Sequence, residues 1–409
     1  MERSRQDQVI LRGLAYRFII LFGVISALGD MTYEGARSVY GPYLALLGAS
    51  AAVVGLVTGL GEFLGYALRL VSGYFIDRTK GYWLVAILGY GMLLAVPLLG
   101  LASSWWLAAV FIMLERTGKA IRSPGKDAML SHATRRVGTG IGFGLHEVLD
   151  QIGGFIGPLI FTATIAATGG YKRGFIFMTV PALLTLAVVF VARARFPHPE
   201  TLETQERDTA GEKEEKGKSR FPRTFWFYAA FIMVSVAGFV NFPILAFHFK
   251  QSHLIPEAQI PTLYAAAMGA DALMALAIGK FYDRIGFRSL IVIPVLSIPL
   301  AVLGFSQSRL LIVFAALLWG LVMGAHETIM RAVIADQIPV CKRGAAYGVF
   351  NTVYGLAILC GSAVMGLLYE RSTALVIGFA SISELIGLVI FLRYVRLQTL
   401  SPCTPIRRP

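Results

Sequence analysis

The chain has 409 residues, of which 56% are hydrophobic and only 15% charged, with 43 glycines and a mean hydropathy of +0.67. A soluble domain has too little interior to hide that much apolar surface, so a water-soluble globular protein is excluded. The net charge of +13 is spread over alternate loops instead of one stripe, which argues against a nucleic-acid surface.

Apolar stretches of about twenty residues, the length an α-helix needs to cross a bilayer, recur along the whole chain. Twelve spans are predicted, at 15–45, 51–76, 82–102, 104–125, 138–168, 174–194, 224–249, 260–282, 288–306, 309–332, 343–369 and 373–394. In the first, Arg17 precedes an apolar run as in a signal peptide. Asp30 and Glu34 interrupt that run and no small-residue cleavage site follows, so it reads as a span. Asp30, Glu34 and Arg37 recur every three or four residues and share a face. With the N-terminus inside they fall in the outer half, as an external vestibule or gate, or as a self-contained pair of Arg37 with Glu34 or Asp30.

The second span carries Glu62 and ends in GYFIDRTKG, with Gly73, Asp77 and Arg78. In the fourth, Glu115, Lys119, Arg122 and Lys126 form one stripe, and a Glu four residues before a Lys predicts intrahelical neutralisation of Glu115. Arg116 points about 100° away round the helix. Lys119, Arg122 and Lys126 approach the cytoplasmic end and read as topological charges. The fifth span holds Gly144, His146, Glu147, Asp150, Gly153, Gly157 and Pro158. His146 and Asp150 are four apart, on the stripe of Gly153 and Gly157. Two readings stand: a proton relay, because a histidine beside a carboxylate titrates near neutrality, or a histidine held by one hydrogen bond in a packed interface. Glu147 lies on another face and competes for the proton role.

Residues 195–223 are dense in mixed charge, with Pro197, Pro199 and Pro222, and cannot bury enough surface to fold alone. They read as a flexible cytoplasmic linker between six-helix bundles at 1–194 and 224–394, followed by a cytoplasmic tail at 395–409. The second bundle repeats the loop motif as GKFYDRIGFR, with Gly279, Asp283, Arg284, Gly286 and Arg288. Each matching pair, Gly73 with Gly279, Asp77 with Asp283 and Arg78 with Arg284, is offset by 206 residues (283 − 77). Gly138 and Gly142 match Gly344 and Gly348 at the same offset. Duplication of this kind is the mark of secondary transporters, whose halves rock about a central site.

Charge in hydrocarbon is costly and marks function by default. At about 1.5 Å of rise per residue, Glu62, Glu115, Arg116, His146, Glu147 and Asp150 fall near the bilayer midplane, as do Asp271, Tyr354 and Glu384 in the second half. His146, Glu147, Asp150 and His326 lack metal-ligand spacing, and Cys341, Cys360 and Cys403 lack redox or metal spacing. No metal and no cofactor is expected. Lys and Arg concentrate in the loops on the side of both termini, which places those termini in the cytoplasm, across an inner membrane.

On the loop motif, the chain resembles the major facilitator superfamily. The second half matches the family pattern in full, whereas Lys80 and Gly81 depart from it in the first. The resemblance implies two pseudo-symmetric six-helix bundles and a motif that latches the halves in the outward-facing state, its Asp accepting at the N-terminus of the next helix. Gly144, Gly153, Gly157 and Pro158 resemble the glycine pattern of the exporter and antiporter branches, although Phe161 and Thr162 stand where a glycine pair closes that pattern. Ordinary helix packing is the other reading of these glycines. The family's fourth-span arginine is replaced by Ile112, with Arg116 one turn on as a substitute, and RTGKAIRSPGKDAML is similar to a subgroup of uncharacterised bacterial and archaeal permeases.

The expected function is alternating-access transport of a small molecule, coupled to protons and directed outward. Glu115 and Arg116 are expected to meet substrate, and Glu62, Glu147 or Asp150 the proton. The alternatives are proton-driven uptake of a charged metabolite and a transporter-like sensor that binds without moving its ligand. An enzyme is not expected, since no nucleophile-and-base set or phosphate loop is present. The expected partners are the lipid bilayer, a small-molecule substrate and protons, with the chain a monomer.

Overall fold

The computed structural model describes residues 2–202, 221, 223–338 and 340–400. Parts of the expected linker and tail, Cys403, and the side chains of Asp77 and Cys341 therefore lie outside the described residues. The described residues are helical, with no strand among them. The first half comprises α1 (Glu2–Arg37), α2 (Tyr40–Leu46), α3 (Ala51–Thr79), α4 (Tyr82–Gly91), α5 (Ala95–Leu99), α6 (Trp105–Val137), α7 (Thr139–Thr168), α8 (Tyr171–Phe177) and α9 (Thr179–Arg195). The second comprises α10 (Arg223–Gly238), α11 (Phe242–Ser252), α12 (Ile260–Ile285), α13 (Val292–Gly304), α14 (Arg309–Gln337), α15 (Val340–Tyr369) and α16 (Thr373–Leu400).

Ten helical stretches among the described residues are long and apolar enough to cross a membrane. The twelve predicted spans are consistent with them. One stretch, Glu257–Gly304, contains two predicted spans joined by a 3-10 segment at Gly286–Ile291. The predicted fourth span lies in α6, whose Glu115, Arg116, Lys119, Arg122, Lys126 and Asp127 leave it too charged to qualify on composition. Leucines, isoleucines and phenylalanines stay exposed on the outer faces, among them Leu273, Leu276, Leu101 and Ile141, as a lipid-facing surface requires.

The 206-residue offset carries α3 onto α12, α6 onto α14 and α7 onto α15, and the packing follows it. The halves meet through α3 against α15 and α7 against α12, which the offset interchanges. At the end of the bundle away from the termini, α2 packs on α11, and Phe247 of α11 joins a core cluster of the first half that includes Tyr40, Tyr43 and Tyr171. Within the first half, α1 and α7 touch backbone to backbone. A Cβ on Gly153 would sit 2.0 Å from the Ala27 carbonyl oxygen, and one on Gly157 2.2 Å from that of Met31. Gly144 has nothing within 4 Å, so the three glycines of the antiporter-like pattern do not share one packing role. Pro158 lies inside α7.

The two loop motifs occupy equivalent places. Gly73 faces Pro124 of α6 and Gly279 faces Thr328 of α14. Lys80 stands where the second half has Gly286, and both have positive φ, 52° and 63°. Lys80 adopts the left-handed helical region, which a side chain tolerates, whereas Gly286 at ψ −145° occupies a region open in practice only to glycine. The first-half departure from the motif is thus accommodated by a different turn. Asp283, Arg284 and Arg288 are exposed, and Arg78 stacks over Tyr74 at 4.7 Å.

Candidate functional site

Between the halves lies a cavity of about 330 Å³, extending from the middle of the bundle toward the end that carries the termini. Its wall is drawn from α1, α3, α4, α6, α7, α12 and α14, and the first half supplies most of it; the second contributes Met268, Asp271, Met323 and Glu327. Close packing of the halves at the far end shuts the cavity there. Thr162 and Thr262 hydroxyls are 2.9 Å apart, Tyr171 donates to Glu257 at 2.5 Å, and Lys250 reaches the same carboxylate at 2.9 Å. Asn241 donates to Thr58 and Ser362, each at 3.3 Å. At the surface of that end the Ala52 amide donates to Glu370 at 3.1 Å. Hydrogen bonds from the Ser50 side chain and this amide hold the Glu370 carboxyl below its ordinary pKa, as the N-terminus of α3 favours an anion.

The innermost part of the wall is a lattice of charges. Arg37 Nη2 is 3.0 Å from Glu62 Oε1, and Arg116 Nη1 is 3.1 Å from the same oxygen, so one carboxylate oxygen holds two guanidiniums from different helices. Glu34 lies 3.6 Å from Arg37 and 3.9 Å from Lys119, and it accepts a 2.5 Å hydrogen bond from Tyr264 of the other half. Tyr33 accepts from Arg116, while the Arg116 guanidinium and Lys119 ammonium lie over its ring at 4.5 and 3.7 Å. Apart from Lys119, whose side chain keeps 25% exposure, these groups are buried, and opposite charges stand against one another.

Nearer the termini the partners thin out. Among the described residues no salt bridge reaches Asp30, Glu147, Asp150, Asp271 or Glu327. On the facing side Arg69 Nε and Arg122 Nη1 are buried without a hydrogen-bond partner, as is Asp150 Oδ1. His146 pairs with Ser26 at 2.8 Å, not with Asp150. A second cavity, of about 300 Å³ between α3, α6 and α15, shares Arg69, Ser123 and Asp127 with the first and continues the path toward the termini.

The structure thus brings Glu62, Arg116, His146, Glu147, Asp150 and Asp271 to one cavity, as expected of a central site. It also places Asp30, Glu34 and Arg37 on that cavity's wall, whereas the sequence put them in a separate vestibule; Arg37 bridges to α3 rather than only to its own helix. Glu115, Tyr354 and Glu384 do not line it. Glu115 is fully buried, with both oxygens lacking a hydrogen bond and Arg116 Nε at 3.6 Å; the expected pairing with Lys119 is absent because Lys119 turns to Glu34 and Tyr33. Tyr354 packs edge-on against Tyr66 at 4.9 Å. Glu384 accepts from Ser235 at 2.8 Å inside the second half. His326 is buried between the rings of Phe239 and Tyr354 with neither nitrogen partnered.

Sequence reasoning missed Tyr33, Arg69, Asp127 and Glu327 as wall residues and Tyr264 as the donor behind Glu34, and it assigned Lys119, Arg122 and Lys126 to topology although all three line the cavity. Glu327 and Arg69 were findable as charges inside predicted spans. The two tyrosines gave no signal, since a phenol is unremarkable in a membrane helix.

The family model for the Major Facilitator Superfamily matches residues 19–254 and 227–407. An uncharacterized protein of Mycobacterium tuberculosis is 40% identical over 390 residues, covering 95% of each chain. An uncharacterized MFS-type transporter of Methanocaldococcus jannaschii is 27% identical over 383 residues, 90% of this chain and 92% of its own. The crystal structure of the nucleoside transporter NupG superposes with a TM-score of 0.70 at 13% identity, covering 93% of this chain and 99% of that one, a likeness of fold alone.

Proposed function

The chain belongs to the major facilitator superfamily and is an integral membrane transporter; on that premise we propose that it exchanges a small polar molecule for protons by alternating access, in the direction of export. The observation that carries the coupling is the sharing of one Glu62 oxygen by Arg37 and Arg116. A proton on Glu62 removes the one carboxylate shared by the two guanidiniums and leaves them to Glu34 and Glu115, each 3.6 Å away, so protonation and rearrangement of the wall are linked. The unpaired carboxylates nearer the termini, Asp150 and Asp271 among them, take either a proton or a cationic group of the substrate, and a site that accepts only one at a time exchanges them. With the termini in the cytoplasm, the cavity as seen faces inward and the far-end contacts form the closed outer gate. Export as the direction rests on the partial antiporter-like pattern of Gly144, Gly153, Gly157 and Pro158.

Uptake symport is the second reading, and the same ion pairs favour it: a protonated Glu62 frees two arginines to receive an anion together with the proton. Reconstitution into liposomes containing a pH-reporting dye separates the readings. Under exchange, adding substrate on the cavity side drives protons toward that side, and under symport it drives them away from it. Glu62→Gln is expected to abolish the proton signal in either case. Substrate flux of equal rate with and without a pH gradient refutes the coupling, and binding without flux makes the protein a sensor.

A further inference from the structure

The cavity wall is divided by charge. The side built by α3 and α6 presents five basic residues against two acidic, Glu62 and Asp127. The side built by α1, α7, α12 and α14 presents six acidic residues against one arginine, Arg37. In the deep lattice the two signs satisfy each other. Toward the termini they do so only in part: Arg122, only 4% exposed, lies over the Tyr90 ring at 5.0 Å but keeps Nη1 without a hydrogen bond, and Asp271, 5% exposed, has no salt bridge among the described residues. Arg69 and Asp150 each keep one buried polar atom unpartnered on the same two sides. A ring face does not replace a carboxylate, so a buried guanidinium with a hydrogen bond unmade is costly, and an arginine cannot relieve that cost by losing its proton.

We infer that the substrate is a dipolar small molecule, with an anionic group received by Arg122 and Arg69 and a cationic group received by Asp150 and Asp271. A plain anion satisfies the arginines but brings a like charge toward six acidic side chains, and a plain cation meets the converse on α3 and α6. In a cavity walled by low-dielectric protein those repulsions are stronger than in bulk water. A molecule carrying both charges satisfies each side and adds no net charge to the cavity. The pairing is charge-assisted at both ends, with the guanidinium fork suited to a carboxylate or phosphate.

This inference rests on the transport reading for its site but is tested by binding alone. The purified protein in detergent is melted against ω-amino acids of three to eight carbons, the matching alkylamines and the matching carboxylates. The expected result is a rise in melting temperature for one or more dipolar members and a smaller rise for the singly charged members of equal length. Arg122→Gln is expected to weaken dipolar binding about tenfold or more, the loss of one hydrogen bond to a charged group, and to move preference toward the amine. Asp271→Asn moves it toward the carboxylate. Equal or larger shifts with amines or carboxylates, or no shift across the panel, overturn the inference. A dipolar ligand that binds but does not move protons in liposomes leaves the inference standing and removes the coupling; proton-linked flux of a singly charged solute does the reverse.

Discussion

Replacing Glu62 with glutamine keeps the side-chain shape and removes one charge. Its Oε1 is the nearest carboxylate oxygen to both Arg37 and Arg116, at 3.0 and 3.1 Å, and its side chain is 11% exposed. The arginines then depend on Glu34 and Glu115, each 3.6 Å away and beyond hydrogen-bond length. Breaking a buried pair by removing one partner costs about 3–5 kcal/mol. Because this wall borders a cavity that admits water, the lower end, about 3 kcal/mol, is the expected loss of stability in Glu62→Gln. Removing Arg116 as well, as Glu62→Gln with Arg116→Gln, relieves part of that cost. The coupling between the two positions is expected at about 1–3 kcal/mol, as for residues in one network. Denaturant or thermal unfolding of the wild type, the two single variants and the double variant in one detergent closes the cycle. A Glu62→Gln protein within about 0.5 kcal/mol of wild type, or strictly additive variants, refutes the claim that one carboxylate holds both arginines.

Gly153→Ala is expected to lose about 1–3 kcal/mol, because the new Cβ meets backbone of α1 that cannot swing aside, whereas Gly144→Ala, with open space, melts like wild type; equal melting of the two variants argues against the close α1–α7 approach. Tyr264→Phe removes the phenol that donates across the halves to Glu34, and is expected to loosen that contact by about 1.5–3 kcal/mol, the range for a hydrogen bond to a charged group, read as a shift toward the far-end-open state in spin-label distances. Unchanged distances count against it. Glu370 has a lowered pKa through Ser50 and Ala52, so its cross-half contact is fully present above the ordinary carboxylate range and is lost as pH falls through the lowered value. Labels flanking positions 52 and 370 should report the far end separating more readily in acid, and Glu370→Gln should remove that dependence; a variant that keeps the wild-type pH response contradicts the assignment.

The helices were legible because hydrocarbon forces each span to satisfy its own backbone, so an apolar run of the right length has few alternatives. The duplication was legible from identities at a single offset, and the structure follows it down to α3 against α15 and α7 against α12. What failed were inferences that judged a side chain from its own helix alone. Glu115 and Lys119 have ideal spacing for a pair, yet Lys119 finds Glu34 and a tyrosine ring on α1. Of the two readings of His146, its contact with Ser26 matches the single hydrogen bond in a packed interface and not a pair with Asp150. Depth along a span put Glu384 and Tyr354 near the midplane but said nothing of whether they face a cavity or a neighbouring helix.

The sequence by itself determined the solvent of this protein, the class of its fold and the two-fold repetition of its halves, because composition, span length and repeated motifs are properties of the chain read in order. Only the tertiary structure decided which of the intramembrane charges form one site. That choice depends on how helices rotate about their axes and how near they approach, and those are set by contacts such as Gly153 against the Ala27 carbonyl and Tyr264 against Glu34, between residues far apart in the chain. The division of the cavity into a basic and an acidic side belongs to the same level, since no single helix contains both sides of it.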